Sequence, residues 1–285
     1  MPELPLALSI IFAGVLGLLV GSFLNVVILR VPTRMTAEWQ REARDILGLD
    51  PDPTPLPPGI VRVPSHCMHC QHPLSPLDNI PVLSWLWLRG RCRYCQASIS
   101  AQYPLVELLS GLLCMVVVWK FGPTWVALAG LALTWTLIAL AGIDLRTQLL
   151  PDQLTLPLLW LGLVLALIPV FVSAPAAISG GAIGYLSLWS VYWVFKLLTG
   201  KEGMGHGDFK LLAALGAWMG PVALLPIILL SSLIGALVGG AMIMWRRHDA
   251  QIPIPFGPFI AAAGWVWFVA GDGLLQTYLR LSGLQ

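Results

Sequence analysis

Two aspartates stand at the edges of long apolar runs. Asp144 follows LTWTLIALAGI and precedes LRTQLLPD, and Asp208 closes GMGHGD, directly before FKLLAALGAWMG. Ionisable side chains at membrane depth are costly and are functional candidates by default. Two carboxylates that meet do not both ionise easily, so they share a proton. One acid then deprotonates a water while the other protonates or polarises a carbonyl. That is peptide hydrolysis with neither a metal nor a nucleophilic side chain. Each acid alone also has a plainer reading, Asp208 as a helix cap and Asp144 as a side chain snorkelling to water. Gly205 and Gly207 flank His206 and permit the backbone to unwind and a peptide to approach closely.

A second constellation is CMHC (Cys67–Cys70) and CRYC (Cys92–Cys95), separated by 21 residues. Paired CxxC knuckles suit tetrahedral thiolate coordination of zinc by Cys67, Cys70, Cys92 and Cys95. Two disulfides are the alternative, disfavoured if the segment faces a reducing compartment. Four thiolates close the coordination sphere, so such a zinc is structural. His66, His69 and His72 crowd the first knuckle as substitute ligands or polar loop residues. Cys114 lies in an apolar run and reads as a packing residue.

The elements that must position these groups are membrane helices. The chain has 285 residues, 57% hydrophobic and 11% charged, against about a quarter charged in soluble domains. Its net charge of +2 is too small to suggest a nucleic-acid partner. The expected fold is an all-α polytopic membrane protein with about eight transmembrane helices and a cytoplasmic zinc-knuckle insert between the first two. The apolar runs are Leu6–Leu29, Pro104–Lys120, Trp125–Ile143, Gln153–Ser173, Ala176–Leu198, Phe209–Met244 broken at Gly220-Pro221, and Phe256–Ala270. The first run is too long for a signal-peptide core and lacks a charged segment before it, so it reads as a retained helix. The organisation expected is a first transmembrane helix over 1–29, the insert over 30–101 and a peptidase core over 102–285. Within the insert, Thr36–Leu47 reads as a surface helix and LDPDPTPLPPG as an extended linker. No internal repeat is apparent.

Basic residues set the orientation. Arg30, Arg34, Arg41, Arg44, Arg62, Arg89, Arg91 and Arg93 put the insert in the cytoplasm. Threading the spans from there brings Asp144–Asp152, Lys196–Lys210 and Arg246–Gln251 to the same side. Both acids therefore fall at one face and similar depth. Lys210 reads as a holder of an acidic substrate group, as a charge that tunes Asp208, or as an anchor of the helix end at the interface. The thirteen tryptophans read as interfacial anchors and lipid-facing bulk.

Taken in order, GSFLNVVILRVP, PSHCMHC, CRYC, YPLVELLSG, IDLRTQLLPDQLTLPLLW, GMGHGDFKLLAALGAWMG and IPFGPF cover most of the chain. Together they resemble the type IV prepilin peptidases, bifunctional leader peptidase/N-methyltransferases of the GxGD aspartic protease class. The resemblance implies cleavage of the basic leader of prepilins and pseudopilins at the cytoplasmic face of the bacterial inner membrane. It also implies methylation of the new N-terminal amine from S-adenosylmethionine. Carried over residue by residue, it makes Asp144 and Asp208 the catalytic pair. Asp152, eight residues after Asp144, is the competing acid and otherwise caps its helix.

The methyl-transfer site carries no dinucleotide fingerprint. Its candidates are Gly90, for close backbone approach, Arg91, to meet the cofactor carboxylate, and Glu107, to face an ammonium or sulfonium group. Asn25 is a further polar residue within the first span. A turn, a solvated charge or a helix–helix hydrogen bond accounts for each equally well. Two rival functions remain at this stage. One is a peptidase without methyl transfer; the other is a non-enzymatic transporter or assembly scaffold, whose acids belong nearer the bilayer middle. Membrane lipid is an expected partner, and the sequence carries no signal of oligomeric state.

Overall fold

The computed structural model describes residues 5–61, 63–246 and 254–281. Arg62 and the 247–251 part of the basic segment Arg246–Gln251 lie outside the described residues. Among those described, the regular elements are helices, with two isolated β-bridges and no strand. The chain forms two compact units, residues 1–139 and 140–285.

The first unit is built on α1 (Leu6–Ile46) and α3 (Gln102–Phe121), with the short α2 (Leu83–Trp87) between them and the start of α4 (Trp125–Thr147) after them. Gly17 and Gly21 of α1 leave room for the α3 backbone. A Cβ at Gly17 would stand 2.8 Å from the Gly111 Cα, and one at Gly21 would stand 2.7 Å from the Glu107 Cα. Small residues spaced by four let membrane helices touch backbone to backbone. The contact is tied by Ser110 Oγ donating to the Gly17 carbonyl at 2.6 Å and Asn25 Nδ2 donating to the Tyr103 carbonyl at 3.1 Å. Asn25 is thus a helix–helix bond, one of the two readings open to it.

The first helix does not stop at Leu29. It runs on through Pro32 to Ile46 and absorbs the surface helix expected at Thr36–Leu47. The hydroxyl of Thr36 bonds back to the Pro32 carbonyl at 2.9 Å, within the helix that continues past the proline. The Pro-rich segment then folds back along the helix it has left. Arg44 donates to the Asp50 carbonyl (3.0 Å), Arg41 to that of Thr54 and Arg30 to those of Gly59 (3.0 Å) and Val63 (2.7 Å). Extended proline-rich chain has no internal hydrogen bonds, so the arginines of α1 supply them from outside. These charges, which orientation arguments treat as free, are committed to backbone.

The second unit holds the end of α4, then α5 (Asp152–Leu165), α6 (Ala174–Thr199), α7 (His206–Met219), α8 (Leu224–Arg246) and α9 (Gly257–Leu281). The long apolar run breaks at Gly220, φ +76°, as expected from Gly220-Pro221. The fourth run ends early, at Leu165 rather than Ser173, because Pro169 disfavours helix in the residue before it and lacks an amide to bond back. Each expected apolar run contains helix. Among the described residues, five stretches are long and apolar enough to cross a membrane: Leu6–Ile46, Gln102–Phe121, Trp125–Thr147, Ala174–Thr199 and Pro221–Met242. The helices α5 and α7 have 14 residues each, about 21 Å of rise, less than a hydrocarbon core.

Helix α7 is the core of this unit. Every residue from Leu211 to Trp218 is buried, so it is apolar around its whole circumference. It crosses α6 where Gly180 and Gly216 meet backbone to backbone, and Trp218 Nε1 reaches across to the Leu158 carbonyl of α5 at 2.8 Å.

Candidate active site

Asp208 is the third residue of α7, after Gly205 as the helix's N-cap. Asp144 sits in the last turn of α4. Both belong to the second unit and both are buried, 7% and 5% exposed. Gly257, first residue of α9, donates its amide to Asp144 Oδ2 at 3.0 Å. The pair is gathered by Leu150, whose side chain lies against Gly207, next to Asp208, and against Gly257, next to Asp144. A Cβ on Gly207 would stand 2.7 Å from the Leu150 Cβ, and one on Gly257 would stand 3.2 Å from the Leu150 Cδ1 and 2.6 Å from Asp144 Oδ2.

The glycines have different tasks from the one expected of them together. Gly207 is helical and is needed for Leu150 to pack. Gly203 leaves room for the Phe195 ring, 2.7 Å from the place of its Cβ. Only Gly205 keeps open ground beside the acid: a Cβ there would meet just Asp208 Oδ2, at 3.7 Å. His206 stacks with Tyr192 and Phe209, ring centroids 5.0 and 5.3 Å away.

Asp152 makes no side-chain cap; the α5 N-cap is Pro151. Its carboxylate instead receives Lys210 Nζ on both oxygens, at 2.6 and 2.7 Å. Lys210 is therefore an ion-pair partner linking the first turns of α5 and α7, which the interfacial-anchor reading missed. The signal for the pair was an acid and a base each placed within the first turns of an apolar helix.

In the first unit the Sγ atoms of Cys67, Cys70, Cys92 and Cys95 all lie within 4.8 Å of one another, and those of Cys67 and Cys95 are 3.7 Å apart. Tetrahedral zinc at about 2.3 Å from each sulfur spaces sulfurs by roughly 3.8 Å, so the donor set fits zinc. All five cysteines are unbridged. Amides of Cys70 and His69 hold the Cys67 thiol down to about 6. The histidines are not among the clustered donors; His72 stacks on Tyr94 with centroids 3.6 Å apart.

The two knuckles are one motif used twice, a repeat the sequence reading does not detect. Ser65, His66, Cys67, Cys70, Gln71, Pro73 and Leu74 correspond, 25 residues on, to Gly90, Arg91, Cys92, Cys95, Gln96, Ser98 and Ile99. Cys67 N–H donates to the His72 carbonyl (3.0 Å) as Cys92 N–H does to that of Ala97 (2.8 Å). Gln71 and Gln96 both take a left-handed φ, 57° and 58°. The bridges His66–Pro73 and Arg91–Ser98 close both loops. Only Cys-Xaa-Xaa-Cys-Gln is identical between them, too short for detection by eye.

Gly90 and Glu107 bracket α2. Gly90, φ +67°, closes its end by donating to the Trp85 carbonyl, and the Trp85 ring fills the place of a Cβ at 2.9 Å. Glu107 Oε2 accepts the amide of Val82 at 2.8 Å, steadying a valine at φ 61°. Glu107 is buried and the Arg91 side chain is exposed.

The bacterial peptidase A24 N-terminal domain matches residues 15–121, and the type IV leader peptidase family matches residues 131–240. The chain is 56% identical over 273 residues to the prepilin leader peptidase/N-methyltransferase of Xanthomonas campestris pv. campestris, covering 96% of this chain and 95% of that one. It is 57% identical over 264 residues to the protein of that name from Aeromonas hydrophila, covering 92% and 91%. With that from Pseudomonas aeruginosa it shares 53% over 270 residues, covering 95% and 93%. No solved structure matches. Such identity across nearly the whole length, with two consecutive domain matches, means that the chain belongs to the type IV leader peptidase family.

Proposed function

We propose that this chain cleaves the leader from type IV prepilins and pseudopilins with Asp144 and Asp208, and then N-methylates the new N-terminal residue from S-adenosylmethionine. The observation that carries the reading is the meeting of two buried acids from α4 and α7 around Leu150, in a chain of this family. One acid takes a proton from a water as the water oxygen bonds to the scissile carbonyl carbon. The other gives its proton to the carbonyl oxygen. The resulting diol collapses, the C–N bond breaks, and the first acid returns its proton to the departing amine while the second recovers its own. The open ground beside Gly205 suits an extended peptide backbone.

The basic residues flanking the spans favour the cytoplasmic face of the bacterial inner membrane for this site. The organisation that goes with it is a leading span, a cytoplasmic insert over 30–101 and a peptidase core over 102–285. Cys67, Cys70, Cys92 and Cys95 hold zinc, which folds the insert. Arg91 would meet the carboxylate of the methyl donor and Glu107 its cationic end, with Gly90 shaping the turn before Arg91. When bound, that donor supplies an electrophilic methyl group. The chain's task is to orient the free amine.

The test is intact mass of a prepilin incubated with the purified enzyme and S-adenosylmethionine. Loss of the leader plus one methyl is expected from the wild type, and neither change from Asp144→Asn or Asp208→Asn. Cleavage retained in either variant removes that residue from the dyad. Arg91→Ala is expected to spare cleavage and lose the methyl; equal loss of both would point to a misfolded insert.

A further inference from the structure

The two acids are not equivalent in their surroundings. Asp144 Oδ2 faces the amide of Gly257 at 3.0 Å, and that amide opens α9. The first amides of a helix have no partner within it and carry its positive dipole end, so they favour an anion. Asp208 stands otherwise. Its Oδ1 is, among the described residues, the one buried side-chain oxygen without a hydrogen-bond partner. Gly205, the N-cap of the helix, lies beside its other oxygen, Oδ2. On the same helix Lys210 is committed to Asp152, and His206 to its aromatic neighbours. Arg146, two residues beyond Asp144, is exposed. An ionised carboxylate with an orphaned, buried oxygen forfeits solvation it cannot replace. A neutral carboxyl there is instead a hydrogen-bond donor waiting for an acceptor.

We infer that the resting dyad keeps its one proton on Asp208 and its charge on Asp144, and that the backbone amide of Gly257 is the positioning group that fixes this asymmetry. The inference rests on the dyad reading above. It assigns the steps: Asp144 takes the proton from water, and Asp208 protonates the substrate carbonyl. A side chain at 257 is incompatible with the arrangement, since its Cβ would lie 2.6 Å from Asp144 Oδ2.

Infrared spectra of the full-length enzyme in lipid nanodiscs, taken in water and in heavy water, read the carboxylic-acid C=O band directly. Subtracting each variant from the wild type removes bands common to both. The band is expected to vanish in Asp208→Asn and persist in Asp144→Asn. Loss in Asp144→Asn alone, loss in both, or loss in neither would overturn the assignment. Cleavage measured on the same samples keeps the two readings apart, because retained cleavage in either variant sinks the dyad whatever the band does.

A second measurement addresses Gly257 without adding atoms. Glycolate incorporated at 257 replaces the amide N–H by an ester oxygen. Loss of a hydrogen bond to a charged group is expected to lower kcat by about 10- to 100-fold, with KM for the prepilin unchanged and the Asp208 band weakened. Unchanged kcat and an unchanged band would show that the amide does not fix the asymmetry.

Discussion

Lys210 grips both carboxylate oxygens of Asp152, at 2.6 and 2.7 Å, and so ties the first turn of α5 to the first turns of α7. The same two helix starts flank the Leu150 turn that gathers Asp144 and Asp208. Both partners are partly exposed, 29% and 52%, so the bond contributes at most about 1 kcal/mol to stability. Its value lies in placement. Asp152→Asn and Lys210→Met are each expected to lower kcat several-fold and leave thermal stability nearly unchanged. The double variant should be no worse than either single one. Additive losses in a double-mutant cycle of kcat would show that the two residues act separately.

Leu150 against Gly207 is a tighter constraint. A methyl at 207 meets the Leu150 Cβ at 2.7 Å, so Gly207→Ala should push Leu150 off both glycines and cost cleavage by about 100-fold. Trimming the neighbour should relieve the clash, and Gly207→Ala with Leu150→Ala is expected to regain much of the loss. Absence of any rescue would mean that the 207 defect lies in the helix start itself. Gly205→Ala is the contrast: it clashes with nothing in the free enzyme and should raise KM for the prepilin while leaving the fold intact.

Much of this site was legible because membrane physics narrows the choices. A carboxylate at a span edge is rare enough to notice, and the alternation of spans put Asp144 and Asp208 at one face before any coordinates. Gly220-Pro221 broke its run as glycine and proline dictate. The parts not legible are those where a residue answers to a distant partner. Asp152 looked like a cap because local sequence cannot show a lysine 58 residues away. Gly257 stood within IPFGPF, but its role carried no signal, since the amide it offers belongs to every residue. The apolar run stops at Leu29, yet α1 continues to Ile46, where Arg41 and Arg44 of its far half bind the returning Pro-rich chain. The knuckle repeat lies in hydrogen bonding and φ angles, with five residues of shared pattern on the surface of the sequence.

That returning chain gives the third prediction. Residues 50–61 and 63–64 form no helix or strand, and Arg30, Arg41 and Arg44 of α1 hold this chain by donating to its carbonyls. Arg41→Ala with Arg44→Ala should leave the Asp50–Thr54 stretch unanchored and raise its rate of cutting by a nonspecific protease at least several-fold. The spans should melt as before. An unchanged cutting rate would show that proline stiffness alone holds the segment in place.

The thiols differ enough to be told apart chemically. Neighbouring amides, Cys70 first and then His69, hold Cys67 at about 6, whereas Cys95 is pushed up to about 11: the Ala97 amide pulls the other way but loses to burial and to the surrounding thiols. The thiolate is the nucleophile. Below pH 6 both are protonated and slow. Between pH 6 and 9 Cys67 is ionised and Cys95 is not, so iodoacetamide should label Cys67 first in metal-stripped protein. Its labelling rate should level off above pH 7 while that of Cys95 keeps climbing toward pH 11. Peptide mapping by mass spectrometry reads both rates. Zinc added beforehand should protect both cysteines together, because the four sulfurs lie within 4.8 Å of one another, close enough for one coordination sphere. Equal labelling of the two at pH 7 would refute the ranking, and labelling indifferent to zinc would refute the shared site.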